Sequence, residues 1–398
     1  MDVFVARQPI FNKNKKLYAY ELLFRSGMSN GFPGLDGNIA TSSLLSSSFF
    51  TVGIEKISGG RKSFINFTED LLLRGTPTLF PHNKIMVEIL ETVQPTEKII
   101  EVCKDLCSKG YSLALDDFVY AQKFEPLIEL SKIIKVDFRL TPLDEIEKMV
   151  KYLSKYSCKL LAEKIETYDE FKKALSMGFV YFQGYFFAKP EVLKNKEIPA
   201  SKLAILQLIA DVNTAVFDVA ALEKLINQDV SISFKLLTYL NSSFFSRLQP
   251  ISSIRQAIAF LGERGFRLFV SLIATSRLAD NKPEELIRTS IIRARFLEHI
   301  GQEVKMAGSE FFMLGLFSLL DAMLDNSMEY LLSKLPLTDQ INDALIRRKG
   351  VLFPFLRLVE TYESGNWADF ESAQEKFGIS GEKVIQFYID ALGWADSI

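Results

Sequence analysis

The chain is poor in the side chains on which many metal hydrolases and secreted scaffolds depend. Among its 398 residues are two histidines, His82 and His299. A typical zinc hydrolase centre needs several histidine ligands, so that class is excluded. Cysteine is also scarce. Cys103, Cys107 and Cys158 are too few for a disulfide framework, and the first two, four apart on a predicted helix, read as packing residues. No apolar run approaches the roughly 20 residues needed to span a bilayer. The stretch Met1–Phe11 has neither the apolar core nor the small-residue cleavage site of a secretory signal. The expectation is a cytoplasmic protein with no membrane contact. A net charge of −2 gives no global pull toward nucleic acid. The basic run Arg347–Lys349 lacks interleaved aromatics and reads as a helix C-terminal cap, so no nucleic-acid partner is expected.

What is present points to a folded two-domain protein. The length exceeds one typical domain, and 48% hydrophobic against 24% charged residues excludes a disordered chain. In the first half, short apolar runs recur: Tyr18–Arg25, Ile65–Phe67, Ile85–Glu91, Leu113–Phe118, Ile133–Asp137, Leu160–Glu166 and Phe182–Phe187. Each reads as a buried strand. Each carries a polar residue within it or near its end: Glu21, Asn66, Glu88, Asp116 with Asp117, Lys135, Glu163 with Glu166, and Gln183. Helical stretches at Pro95–Gly110, Pro126–Ser131, Thr141–Tyr156 and Thr167–Met177 lie between them. Repeated strand–helix units predict a (β/α) barrel, whose chemistry sits at the C-terminal ends of its strands. Carboxylates, amides and a lysine converging there make an oxygen-rich site suited to hard cations and phosphate.

Val3–Phe11 predicts a further first strand. A strand–turn–strand start, through Asn12–Lys16, is unusual for a plain barrel, so one early strand is expected to run antiparallel. Ser26–Gly37 reads as a loop and Ile39–Gly53 as a helix. The polar stretch Glu191–Ala200 reads as a linker. From Ser201 onward strand runs give way to stripes of helical period, with helices expected at Leu203–Val212, Val219–Asn227, Val230–Asn241, Ile254–Leu261, Glu263–Ser276, Glu284–Val304 and Phe311–Leu324, and more beyond. The expected domains are 1–190, a linker 191–200, and an all-helical 201–398.

Seven motifs, in order, resemble the EAL domain, a cyclic di-GMP phosphodiesterase fold: Arg7–Phe11 (RQPIF), Glu21–Arg25 (ELLFR), Glu88–Glu91 (EILE), Asp116–Phe118 (DDF), Lys135–Asp137 (KVD), Ala162–Thr167 (AEKIET) and Gln183–Pro190 (QGYFFAKP). The second half resembles an HDOD domain through Ile226–Ser231 (INQDVS), Lys235–Leu237 with Asn241-Ser242, and Ile254–Ile258 (IRQAI) with Leu261-Gly262. The pair is similar to the EAL–HDOD signalling proteins of bacteria. The resemblance implies a modified (β/α)8 TIM barrel followed by a helical domain, and opening of cyclic di-GMP to linear pGpG with two Mg²⁺ or Mn²⁺ ions. It implies metal ligands at Glu21, Asn66, Glu88, Asp116 and Asp117, with Glu163 beside them. Lys135, Glu163 and Glu166 take catalytic roles, and Gln8, Arg25 and Gln183 contact the substrate.

Two departures from the family bear on turnover. Where the family has a Gly-Thr-Gly-Tyr-Ser-Ser loop after its Asp-Asp-Phe, this chain has Val119–Phe124 (VYAQKF), which forfeits two glycines and their positive-φ turns. Lys164 replaces a glycine between Glu163 and Glu166, where its ammonium can neutralise an acid or hold a phosphate. In the second half, the His-Asp pair of HD hydrolases is missing: Gly315–Leu319 (GLFSL) has Ser318 and Leu319 there, and Asp321 has no histidine beside it. That half reads as an interaction or sensing module for an unknown protein partner. Three functions stay open: a metal-dependent phosphodiesterase, a non-catalytic nucleotide receptor, and a scaffold acting through protein contacts, each compatible with a homodimer.

Overall fold

The computed structural model describes residues 3–26, 53–191, 198–213, 219–220, 223, 226, 230–241, 251–279, 282–306 and 308–397. The loop expected at Ser26–Gly37 and the helix at Ile39–Gly53 fall almost wholly outside these residues. So do most of the linker, most of Val219–Asn227, the Asn227-Gln228-Asp229 and Ser242 motif positions, and the side chains of Arg25 and Lys235.

Eight strands close into a barrel in sequence order: β1 (Val3–Asn12), β2 (Leu17–Ser26), β3 (Lys62–Phe67), β4 (Ile85–Ile89), β5 (Ser112–Leu115), β6 (Ser131–Asp137), β7 (Lys159–Glu163) and β8 (Tyr181–Gln183). β1 is antiparallel to both β2 and β8, and the other neighbours are parallel. The tight turn after Asn12 imposes that reversal, because its side chain accepts from the Asn14 and Lys16 amides. Short loops of this kind can join only antiparallel strands.

Each helix between strands starts where its sequence offers a cap. Thr96 accepts from Ile99 N to start Glu97–Ser108, which buries Ile99, Cys103 and Leu106. Thr167 and Glu170 form a capping box at Tyr168–Ser176.

Side chains alternate in and out along a strand, so each strand sends every second residue to the barrel axis. Ile10, Ala19, Phe64, Met86, Ala114, Ile133, Leu161 and Tyr181, one per strand, form a buried apolar layer. The next inward positions toward the C-terminal mouth are Gln8, Glu21, Asn66, Glu88, Asp116, Lys135, Glu163 and Gln183. One spacing therefore carries both the plug and the polar layer above it.

By compactness the chain divides into Met1–Phe187 with Thr361–Glu375 and Ser380–Ile385, and a second unit of Ala188–Glu360 with Lys376–Ile379 and Gln386–Ile398. The first unit thus includes a late segment that the sequence pattern groups with the helical half. Aromatic packing draws it there: Phe4 of β1 meets Tyr362, Trp367 and Phe370 at centroid distances of 6.4, 5.7 and 5.3 Å. Tyr362 also donates to the Val5 carbonyl at 3.0 Å. Helical periodicity shows that such a segment has an apolar face, not what that face covers.

The second unit is helical, with helices that include Ala200–Val212, Val230–Leu240, Ile254–Leu278, Glu284–Glu303 and Gly308–Phe317. The expected break between Ile254–Leu261 and Glu263–Ser276 is present at Gly262 (φ 68°, ψ 172°). The expected helix Phe311–Leu324 is two, Gly308–Phe317 and Leu320–Leu324. Gly315 permits close helix packing, since a Cβ there would meet the Arg293 carbonyl at 2.5 Å. Ser318, at the end of that helix, donates to the Gly315 carbonyl (2.8 Å) and accepts from Arg293 (3.2 Å). Burial pushes the nearby Asp321 carboxyl up to about 6. Ser318 therefore follows the helix end, and among the described residues its hydroxyl donates to the Gly315 carbonyl and to no basic side chain.

Candidate active site at the C-terminal mouth of the barrel

Lys135 is the hub of the polar layer. Its stem rises from the middle of β6 and is fully buried. Its Nζ pairs with Asp116 and Glu163 at 2.8 Å, with Glu21 at 3.2 Å, and with Glu88. These acids arrive from β2, β4, β7 and the turn after β5, so only barrel closure brings them to one ammonium. Glu21 is held from two more sides by amides. Asn66 Nδ2 donates to its Oε1 (3.1 Å), and Gln183 Nε2 donates to its Oε2 (2.7 Å) and to Gln8 Oε1 (2.9 Å). Gln8 in turn donates to the Ser364 carbonyl at 3.0 Å, which ties the layer to the late segment. Gly184 (φ 139°) lets Ile165 cross the end of β8, where a Cβ would lie 2.1 Å from the Ile165 carbonyl oxygen. The Ile165 amide binds the Gln183 carbonyl there at 3.0 Å.

Four acids against one ammonium leave an excess of buried negative charge, and the acids respond to it. Burial first, and then neighbouring acids, hold the Glu88 and Glu163 carboxyls well above the usual range, with Lys135 opposing. Burial alone would lower Lys135, but its ring of carboxylates raises it well above an ordinary lysine. Oxygens with neither a hydrogen bond nor an ion-pair partner remain buried here: Glu88 Oε2, Glu163 Oε2, Asn66 Oδ1, Gln183 Oε1 and Asp117 Oδ1. One oxygen each of Asp116, Asp117 and Glu163 lie within 4.8 Å of one another. Surplus charge, unused oxygens and a hard-oxygen donor set fit a divalent cation of the Mg²⁺ or Mn²⁺ type.

Of the residues singled out from the sequence, Gln8, Glu21, Asn66, Glu88, Asp116, Lys135, Glu163 and Gln183 meet in one layer. Asp117 lies at the rim. Glu166 lies apart from the layer. Its side chain is 44% exposed and pairs with Arg139 at 2.6 Å, because two further residues of loop carry it past the mouth. Arg25 stands on β2, with its side chain outside the described residues.

Sequence reading missed Asp137. It lies two residues after Lys135 and so on the same face one level higher, which the period-2 rule could have revealed. Asp137 accepts from the Arg139 and Leu140 amides (2.6 and 3.0 Å) and pairs with Lys164. Burial opposes its ionisation, but Lys164 and those amides hold its carboxyl below the usual range. Lys164 also reaches Asp117 at 3.5 Å. Both Lys164 (φ 56°) and Asp117 (φ 37°) are non-glycine residues in the left-handed region, a conformation that costs about 1 kcal/mol or more. No positive φ occurs across Val119–Phe124.

Known proteins share this organisation. The EAL domain matches residues 46–190 and the HDOD domain residues 197–327. The chain is similar to the cyclic di-GMP phosphodiesterase CdgJ of Vibrio cholerae serotype O1, 38% identical over 400 residues, 99% of this chain and 93% of the relative. It is similar to the uncharacterized protein YuxH of Bacillus subtilis, 34% identical over 411 residues, 100% of this chain and 99% of the relative. Among solved structures, a c-di-GMP-bound standalone EAL protein of Vibrio cholerae O395 is 24% identical, covering 47% of this chain and 92% of that one, with a TM-score of 0.37.

Proposed function

The chain belongs to the family that joins an EAL domain to an HDOD domain, and from that premise we propose that it is a cyclic di-GMP signalling protein whose barrel binds the dinucleotide and opens it to pGpG. The observation that carries this reading is the closed ring of eight inward polar residues, one per strand, around the buried Lys135. The name of the relative CdgJ supports the same substrate and reaction. Asn66, Glu88, Asp116, Asp117 and Glu163 are the residues that would hold Mg²⁺ or Mn²⁺. Such a cation supplies positive charge to a phosphoryl oxygen and makes a water more acidic.

The chain's own groups do the rest. Lys135 fixes four carboxylates in one orientation, so their geometry is set before substrate arrives. The Asn66 and Gln183 amides hold the Glu21 carboxyl in place. Burial raises the affinity of Glu88 and Glu163 for protons, and positive charge entering the layer would lower it again. Arg25 on β2 and Gln8 on β1 are the residues that would contact the substrate. The helical half acts as a non-catalytic sensing or docking module for a protein partner, and the protein works in the cytoplasm.

A second reading has its own observation. Lys164 already lies on Asp117 and Asp137, and its internal cation favours a receptor that binds the dinucleotide with slow turnover or none. One sample separates the two. The full-length protein is titrated with cyclic di-GMP in a calorimeter, with and without Mg²⁺, and then chromatographed for pGpG. Product that disappears in Glu21→Ala supports the phosphodiesterase. Saturable heat without product supports the receptor. Neither heat nor product refutes both.

A further inference from the structure

The barrel has a second mouth, which the acid layer does not use. One step below the apolar layer, the inward positions of β3, β5, β6 and β7 are Lys62, Ser112, Ser131 and Lys159. They open into a cavity of about 690 Å³, to which Lys132 also contributes. That volume falls in the range of small-molecule sites. Three ammonium groups line it against one carboxylate, Glu129. Among the described residues none of the three lysines is paired with an acid. Lys62 is half-buried, and burial, followed by repulsion from Lys132, pushes its ammonium below the ordinary lysine range. Like charges gathered without partners are costly unless something negative joins them. The aromatic wall is Tyr18 stacked on Tyr181 at 4.2 Å, with Lys159 5.7 Å from the Tyr181 ring.

We propose that this N-terminal mouth is a second binding site, for a small phosphate-bearing anion up to the size of a mononucleotide, separate from the acid layer. The two mouths lie on either side of the fully packed layer of Ile10, Phe64, Met86 and their neighbours, so a ligand at one does not reach the other. Lysines suit a phosphate as point charges, and the inward Ser112 hydroxyl can turn toward its oxygens, whereas that of Ser131 already donates to the Leu127 carbonyl at 2.7 Å. The site is independent of whether the acid layer hydrolyses anything.

The test uses full-length protein with a chelator, so that no divalent ion carries the probe to the acid layer. Inorganic pyrophosphate is titrated by calorimetry, and alkylation of Cys107, which lines the cavity, is timed with and without it. Saturable one-to-one binding is expected, with slower alkylation of Cys107 and an unchanged rate at Cys158. Lys62→Met and Lys159→Met should each weaken binding about tenfold, the effect of losing one charge-assisted hydrogen bond, while Glu21→Gln leaves it unchanged. Urea unfolding of each variant confirms that it is folded. The proposal is overturned by an absence of saturable binding, by binding that survives the Lys62→Met/Lys159→Met double variant, or by binding lost in Glu21→Gln.

Discussion

The two mouths of the barrel solve opposite electrostatic problems. At the C-terminal mouth four acids crowd one buried lysine. At the N-terminal mouth three lysines face one exposed acid. Both layers come from the same strands, four residues apart, so the alternation that builds the barrel places Lys62 and Lys159 as well as the acids, and Lys132 joins those two at the cavity. The difference lies in depth. Lys135 and Glu88 are fully buried, where an unmatched charge costs several kcal/mol. Lys132 and Lys159 are exposed, where water screens them. The acid layer therefore needs a counter-charge to exist, whereas the basic mouth only prefers one.

The largest break of this comparison is Lys135→Met. It strands buried carboxylates without a cation and should cost about 3–5 kcal/mol at pH 8. Urea unfolding at pH 8 and pH 5 checks this, with a smaller loss at pH 5, where Glu88 and Glu163 take up protons. A loss equal at both pH values would remove charge as the cause.

The wild-type protein should show the same physics more gently. A carboxyl whose pKa rises on folding contributes stability that is fully present below its unfolded pKa and is lost as pH rises through the folded value. Since Glu88, Glu163 and Asp117 are all raised, the chelated protein loses stability as pH climbs above the ordinary carboxylate range, and Mg²⁺ or Mn²⁺ restores it. Melting temperatures across pH 4 to 8, with and without metal, decide it. A metal effect no larger at pH 8 than at pH 5 would contradict the surplus charge.

Lys164→Gly removes the internal cation from Asp117 and Asp137 and relieves a left-handed backbone. Mn²⁺ affinity measured by calorimetry should rise roughly tenfold, since a like charge a few ångströms away is removed in a partly screened site. Unchanged affinity would mean that Lys164 does not compete with the ion. The smallest effect is at the other mouth. Lys62 has a lowered pKa, so its penalty is present while it is charged and vanishes as pH rises past the unfolded lysine value. Lys62→Met should therefore stabilise the protein at pH 7 by under about 1 kcal/mol, and by nothing near pH 11. Urea midpoints at the two pH values distinguish this from a change in packing.

Much of this was legible in the sequence because it is local. The strand at Ile133–Asp137, the helix after Thr167 with its capping box, and the break at Gly262 all follow from residues within a few positions of one another. So does each polar strand end: Glu21, Asn66, Glu88, Asp116, Lys135, Glu163 and Gln183 can each be marked from an apolar run. Glu166 shares a motif with Glu163, yet the turn at Lys164 and Ile165 carries it out to Arg139. Asp137 stands out less, at the very end of its apolar run, although its spacing from Lys135 places it on the same face.

The sequence by itself determined which residues face inward, because side-chain alternation along a strand is a property of the backbone. It also determined that the second half is helical and lacks a His-Asp pair. Only the tertiary structure decided which inward charges meet. Barrel closure, with β1 antiparallel to both neighbours and β6 placed between β5 and β7, brings four distant acids to one lysine. The same closure gathers Lys62, Lys132 and Lys159 at the opposite end, and packing of the late segment lays Ser364 against Gln8. Coulomb and hydrogen-bond energies depend on distance in space, and sequence separation does not set that distance until strand register and closure have done so.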